Sequence, residues 1–345
     1  MKNSVDDYKQ KFDFFLPGII FSVQIGKIKD SIYFAGSDGG IYYYLYADKK
    51  TKPELVYNHG GYVTALIHHE NRLVSAGYNG KITWHDLGSN KAIRTIQAHA
   101  KPIRKLTSCV KKGILVSVGD DMKAVVWNIE TGEKIQELFG HSAQTPSFLT
   151  SMLYTCAFSN SGNTLATADR VGHIVLWDTI SWKQKQTIEA PGFYTWDPVQ
   201  RRHSIGGIRS LAFSPDDKFL AVGGVGKIKN IDGLEGDSRV ELFDLRENKP
   251  TQEWLNHQNQ GLVEWLYYLS DSILLAAGGN TGGFLEFFDL PSKKSIRRQA
   301  ISMHVHDGIV EKPSGRILLV GHKRAVAFDC VPETKTQSKS KSWFE

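Results

Sequence analysis

One short phrase governs what this chain of 345 residues can fold into: an alternating strand that ends in an aromatic ring and, in most copies, an acid. It is plainest at 172–178, GHIVLWD, where Ile174 and Leu176 alternate with their neighbours and Trp177-Asp178 closes the strand. The ring of each copy falls at Tyr44, His85, Trp127, Trp177, Phe243, Phe288 and Phe328, giving spacings of 41, 42, 50, 66, 45 and 40 residues. A unit of about 40–45 residues with four short strands cannot bury both faces of its sheet alone, so such units pack face to face in a ring. Apolar runs ending in small residues precede the phrase, as at 73–77, 114–119, 219–224, 273–279 and 317–321. Runs that are apolar at successive positions suit strands covered on both faces. Turn sequences such as Ser159-Asn160-Ser161-Gly162 and Ser214-Pro215-Asp216-Asp217 separate them. The expected fold is all-β: a seven-bladed β-propeller with four antiparallel strands in each blade.

With these repeats on view, residues 8–331 resemble the WD-repeat family, and the resemblance rests on the repetition rather than on any single Trp-Asp pair. It implies, in the best-preserved blades, a hydrogen-bonded chain of His, Ser or Thr, Asp and Trp. By position the third blade supplies His99, Ser117, Asp121 and Trp127, and the fourth His141, Thr167, Asp169 and Trp177, its Asp two places early. His85 replaces the ring in the second blade, and Phe243, Phe288 and Phe328 replace Trp in the last three. Strong polar networks are therefore not expected in blades five to seven.

The ends carry a further expectation. Little chain follows Phe328-Asp329 before Pro332, while 8–15 alternates and precedes Pro17-Gly18. The N-terminal strand is expected to complete the last blade, close the ring and remove an exposed edge. Residues 1–7 are then an N-terminal extension. Residues 332–345 are expected to be a disordered polar tail ending in Trp343-Phe344-Glu345.

Composition bounds the rest. No run of 18 apolar residues exists and the first residues are broken by charge, so neither a membrane span nor a secretory signal is expected, and the cytoplasm is the expected location. Cys109, Cys156 and Cys330 lie far apart, which suits buried thiols rather than disulfides or a zinc site. The formal charge of +6 comes with basic pairs such as Lys111-Lys112, Arg201-Arg202, Arg297-Arg298 and Lys323-Arg324, placed mostly at turns and outer strands where solvated charge is ordinary.

The two long spacings, 50 and 66, are consecutive, and three insertions account for them: 142–151, 191–207 and 225–238. Strand order puts all three at one end of the ring, and insertions in repeat arrays often mark the binding face. The candidate partner-binding residues are Phe148, Phe193, Tyr194, Trp196, Arg201, Arg202, His203, Lys227 and Lys229, since aromatic and Arg side chains dominate interface hot spots. The opposing possibility is that the aromatics fold back to plug the ring. Trp196-Asp197 lies too close behind Trp177 to start another blade.

Catalytic patterns are wanting. Gly224-Val225-Gly226-Lys227 lacks the first glycine and the magnesium-binding hydroxyl of a phosphate loop, and Asp232, Glu235 and Asp237 do not have calcium-loop spacing. His59, His99, His141 and His257 sit at turns where the resembling family uses His structurally; His304 and His306 share one strand face and could form a pair, but with no matching carboxylate motif beside them they are read as satisfied turn residues. The expected function is a non-enzymatic scaffold binding a protein or peptide on the insertion face, without cofactor or metal. The alternatives are a metal-assisted hydrolase using the axial channel and a nucleic-acid-binding propeller.

Overall fold

A computed structural model of the chain describes residues 8–47, 50–199, 203–230, 235–312 and 314–330. Apart from two single-turn 3-10 segments at Val110–Lys112 and Pro191–Phe193, its regular structure is antiparallel β-sheet. The sheets are arranged as a propeller. The strands Tyr8–Ile25, Val63–His69, Ile103–Cys109, Leu153–Phe158, Ile208–Phe213, Leu262–Tyr268 and Val305–Glu311 each touch the next, and the last touches the first.

Each inner strand leads outward through three partners. Second strands such as Ile114–Gly119 are wholly buried and apolar but for one hydroxyl, whereas outer strands such as Lys91–Gln97 are largely exposed and polar. The hydrophobic pattern thus matches position in the sheet, as expected of strands covered on both faces near the axis and wetted at the rim. The core lies between sheets: Ala166, Ile174 and Leu176 of one pack with Ile208, Leu220 and Phe243 of the next.

Seven separate four-stranded sheets were expected, and the hydrogen bonding differs from this. Five sheets have four strands, and a sixth has six, in the order Val305–Glu311, Arg316–Cys330, Tyr8–Ile25, Ser31–Gly36, Gly40–Leu45 and Glu54–Asn58. The reason is that two long strands run on through bends. In Tyr8–Ile25 the pairing with Arg316–Cys330 ends around Phe15 and Ile19, and pairing with Ser31–Gly36 begins at Ile20. Pro17, without an N–H, and Gly18, at φ 69°, stand at the bend.

The insertions also differ from simple loops. Residues 225–238 lengthen a hairpin, with Val225 opposite Ser238 and Asn230 opposite Glu235. Trp196-Asp197 lies in a separate two-stranded ribbon, Tyr194–Asp197 with His203–Gly206, and starts no larger sheet. Among the described residues no helix is long and apolar enough to cross a membrane. Cys109 and Cys156 are buried free thiols, and burial pushes the Cys156 thiol up to about 12. Residues 1–7 and the tail beyond Cys330 lie outside the described residues.

Candidate interaction surface

Polar chains tie the regular repeats together. Trp127 Nε1 donates to Ser117 Oγ at 2.9 Å, Ser117 meets His99 Nε2 at 2.7 Å, and His99 Nδ1 meets Asp121 Oδ1 at 2.8 Å. An ionised carboxylate can only accept, so Nδ1 carries the proton toward Asp121, and with a neutral imidazole Nε2 then accepts from the hydroxyl while the indole donates to it, which makes a one-way chain. Burial opposes ionisation of Asp121, but the His99 contacts and the amides of Ala100 and Lys123 hold its carboxyl below the usual 3.8. The fourth repeat repeats the chain through Trp177, Thr167, His141 and Asp169 at 2.9, 2.8 and 3.0 Å, so the early Asp still reaches its histidine. Burial lowers the pKa of His141.

The second repeat has a chain that its sequence concealed. Tyr57 Oη donates to Ser75 Oγ at 2.9 Å, Ser75 meets His59 Nδ1 at 2.7 Å, and His59 Nε2 meets Asn79 at 3.1 Å. The donor comes from the preceding outer strand, and its ring stacks on His85 with centroids 4.1 Å apart. In later repeats the polar centre changes rather than disappears. Glu286 accepts two bonds from Asn256 Nδ2, at 3.0 and 3.1 Å, and one from Ser295 at 2.6 Å. Glu241 accepts from Arg239 at 2.6 Å. The signal was a Glu two places before the ring, in Arg239-Val240-Glu241-Leu242-Phe243 and Phe284-Leu285-Glu286-Phe287-Phe288.

The three insertions meet. Ser147 and Tyr194 hydroxyls lie 3.5 Å apart, and the Ile228 amide donates to Thr195 Oγ1 at 3.0 Å. Between the second and third insertions runs a groove lined by Tyr194, Trp196, Lys227, Lys229 and Leu255. Trp196 is 37% exposed, Lys227 and Lys229 are exposed, and Phe148 stands out at 82%. Lys227 makes no ion pair among the described residues, and Lys229 reaches Asp237 only at 3.5 Å.

Phe193 departs from expectation. It is 0% exposed, packed among Ile188, Ile208 and Val222, with the Arg239 guanidinium 5.5 Å above its ring. The 3-10 turn at Pro191–Phe193 points it inward, so this aromatic plugs the core and offers a partner no surface. His203 lies in the ribbon strand, and Arg201 and Arg202 fall outside the described residues.

Elsewhere the basic pairs have internal partners: Lys112 bonds to Asn163 and Thr179, Arg298 to Gln258, and Arg324 to Asp13. The axial cavity is lined by Phe21, Thr64, Tyr78, Arg104, Lys105, Tyr154, Arg209, Glu264 and His306. Arg104 is paired with Asp120 at 2.6 Å and Arg209 lies 4.1 Å over the Tyr154 ring. Burial raises the pKa of Glu264. Asp237, a candidate calcium ligand by composition, accepts from His257 at 2.7 Å, and Asp232 lies outside the described residues.

His304 and His306 differ from satisfied turn histidines. They gather with His322, with ring centroids 4.3, 5.3 and 5.0 Å apart, and the buried Nε2 atoms of His304 and His306 have no hydrogen-bond partner. Burial and the neighbouring imidazoles hold His304 down at about 4 and His306 at about 3.

The chain is similar in sequence to known repeat proteins over parts of its length. The family described as WD domain, G-beta repeat matches residues 196–232. Protein HIR1 of Gibberella zeae is 31% identical over 136 residues, covering 37% of this chain and 12% of that protein. Nuclear distribution protein PAC1 of Arthroderma otae is 28% identical over 165 residues, covering 44% and 33%. WD repeat-containing protein 41 of Homo sapiens is 40% identical over 73 residues, covering 21% and 16%. The matches therefore span a third or less of each relative's length. Recurring strands, buried His-hydroxyl-Trp chains and these similarities together support a WD-repeat family.

Proposed function

We propose that this protein is a non-catalytic scaffold whose insertion face holds a segment of another protein. The observation that carries the reading is the groove between the second and third insertions, where Trp196, Tyr194 and Leu255 provide apolar contact beside Lys227 and Lys229. That pairing suits an acidic segment with apolar side chains: the lysines steer it and the aromatics supply buried area. A rigid ring limits the ordering cost that binding must offset. Phe148 extends the same face, and Arg201, Arg202 and His203 are assigned to it from their place in the sequence alone. The test is affinity capture from native cells with the intact chain beside a Trp196→Ala, Lys227→Glu, Lys229→Glu variant. A protein held by the intact chain and lost from the variant supports the reading; equal recovery by both overturns the surface.

The same proposal includes how the ring is counted. We read the six-stranded sheet as two blades, which makes seven in all. Support comes from the seven inner strands that touch in sequence and from the pairing break at Pro17-Gly18. Tyr8–Phe15 would then be the outer strand of the last blade, lying on 324–330. Removing residues 1–15 should lower the unfolding midpoint sharply, whereas an unchanged midpoint would sink the assignment. The cytoplasm remains our proposed location.

A further inference from the structure

The histidine cluster lies apart from the interaction groove, at the seam where the two ends of the chain pair. His304 ends the connection into the inner strand Val305–Glu311, and His306 lies on that strand. His322 sits at the bend of Arg316–Cys330, beside Lys323 at φ 57°, and is the register partner of Ile19 near the chain start. The backbone draws the three together. The His322 amide donates to the His304 carbonyl at 3.1 Å, and Gly321 permits this approach, since a Cβ there would lie 1.8 Å from that oxygen.

Three features point to a ligand. One ring nitrogen from each histidine lies within 4.8 Å of the other two. Two of the imidazoles keep a buried Nε2 with no partner, although a buried polar atom normally finds one. A carboxylate stands by, with Glu264 Oε1 3.8 Å from His304 Nε2, too long for a hydrogen bond but close enough to offset a positive charge. Phe21 meets His306 edge-on at 5.1 Å, and both rings line the axial cavity.

We propose that His304, His306 and His322 form a binding site for a divalent transition cation of the zinc class, which staples the bend at 321–323 to the connection ending at His304. Neutral imidazole is the natural donor for such ions, and three of them with an oxygen donor make a common tetrahedral zinc set. A tetrahedral site with bonds of about 2.0–2.1 Å needs nitrogens about 3.4 Å apart, so nitrogens within 4.8 Å of one another must close by up to about 1.4 Å. His322 is exposed on a tight bend and is the ligand able to move. The other group of potential ligands among the described residues, His69, Glu70 and Glu130, is a weaker candidate. There His69 is already paired with Glu130 at 2.7 Å and both carboxylates are exposed.

The test uses the full chain, stripped of metal by a chelator, then loaded with Zn²⁺ and freed of excess by gel filtration. Wild type is expected to retain one equivalent, to give the visible ligand-field bands of four-coordinate cobalt when Co²⁺ replaces zinc, and to unfold at a higher temperature with zinc than without. His322→Ala, at an exposed position, should fold normally yet lose the retained metal, the cobalt bands and the zinc-dependent rise. His306→Gln should do the same, His69→Ala should behave as wild type, and Glu264→Gln should weaken binding about 10- to 100-fold as a neighbouring group would. Failure of wild type to retain zinc, or equal retention by wild type and His322→Ala, overturns the site. Loss only in His69→Ala would do so as well.

Discussion

In the sheets around Trp127 and Trp177 a buried hydroxyl stands between a histidine and an indole. In the two sheets that follow, a buried glutamate stands two residues before a phenylalanine. Strand order and pairing are alike in both regions, so the backbone does not require either centre. What differs is reach. The hydroxyl chain closes upon itself within one repeat and its preceding connection. Glu286 instead recruits Asn256 and Ser295 from outer strands, while Glu241 is held by Arg239 of its own strand, which also holds Glu253 of the outer strand at 2.8 Å and covers the buried ring of Phe193. An acid with several lone pairs can take several donors, as Glu286 does, and it is the several N–H groups of Arg239 that tie an insertion to the sheet beside Glu241. A hydroxyl hub has no such spare capacity, and its value lies in completing a single buried chain.

The largest effect that separates the two regions should come from the indoles. Trp177→Ala should cost about 3–5 kcal/mol in denaturant unfolding, as removal of a large core ring does. Trp177→Phe isolates the polar share, leaves Thr167 without its donor and should cost about 1–3 kcal/mol. A neutral Trp177→Phe would mean that the chain contributes nothing beyond packing and that the two regions are equivalent. Next in size is Ser117→Ala, also about 1–3 kcal/mol, because it leaves both the Trp127 N–H and His99 Nε2 buried and unpartnered. In a double-mutant cycle Ser117→Ala and Asp121→Asn should couple by about 0.5–3 kcal/mol, since both interrupt one chain.

Acid sharpens the contrast further. The Asp121 carboxyl is held below 3.8 in the folded protein, so the unfolded state binds its proton at the higher pH. The stability from this shift is fully present above 3.8 and is lost as pH falls through the lower folded value. Asp121→Asn should therefore be less stable than wild type near neutrality, and the gap should narrow in strong acid. A gap that does not change with pH would mean that the charge of Asp121 plays no part in the chain. For Glu241 the sign is opposite. Burial raises its pKa against the pull of Arg239, so a Glu241→Gln variant should lose its advantage, or gain a disadvantage, as pH falls and wild type takes up a proton.

How much of this could be read in advance depended on which interactions were local in sequence. The hydroxyl chains of Ser117 and Thr167 were legible because the four residues recur at nearly fixed offsets. The chain at Ser75 was not, because Tyr57 enters from the previous repeat and takes the indole's place above His85. Phe193 and Trp196 looked alike in sequence and have opposite fates. The turn at Pro191–Phe193 aims the first into the core, and the ribbon's alternation leaves the second half open, a choice of face that composition does not encode. His322 joined His304 and His306 only through strand register, and the single six-stranded sheet arose because two bends preserved hydrogen bonding where separate strands were expected.

The smallest predicted effect bears most directly on hub against cluster. Ser295 Oγ donates to Glu286 Oε1 at 2.6 Å, which by distance alone is as good a bond as Ser117 makes. Yet Ser295 is exposed, so water can replace what is removed, and Asn256 still donates to both carboxylate oxygens. Ser295→Ala should therefore cost no more than about 0.5–1.5 kcal/mol, the net worth of one bond, without the penalty of an orphaned buried group. Measured beside Ser117→Ala, it separates bond geometry from the number of alternative partners. Equal costs would show that the carboxylate cannot share its load and that the two kinds of centre behave alike. A several-fold smaller cost at Ser295 would show that tolerance to single losses is what the glutamate-centred sheets gain.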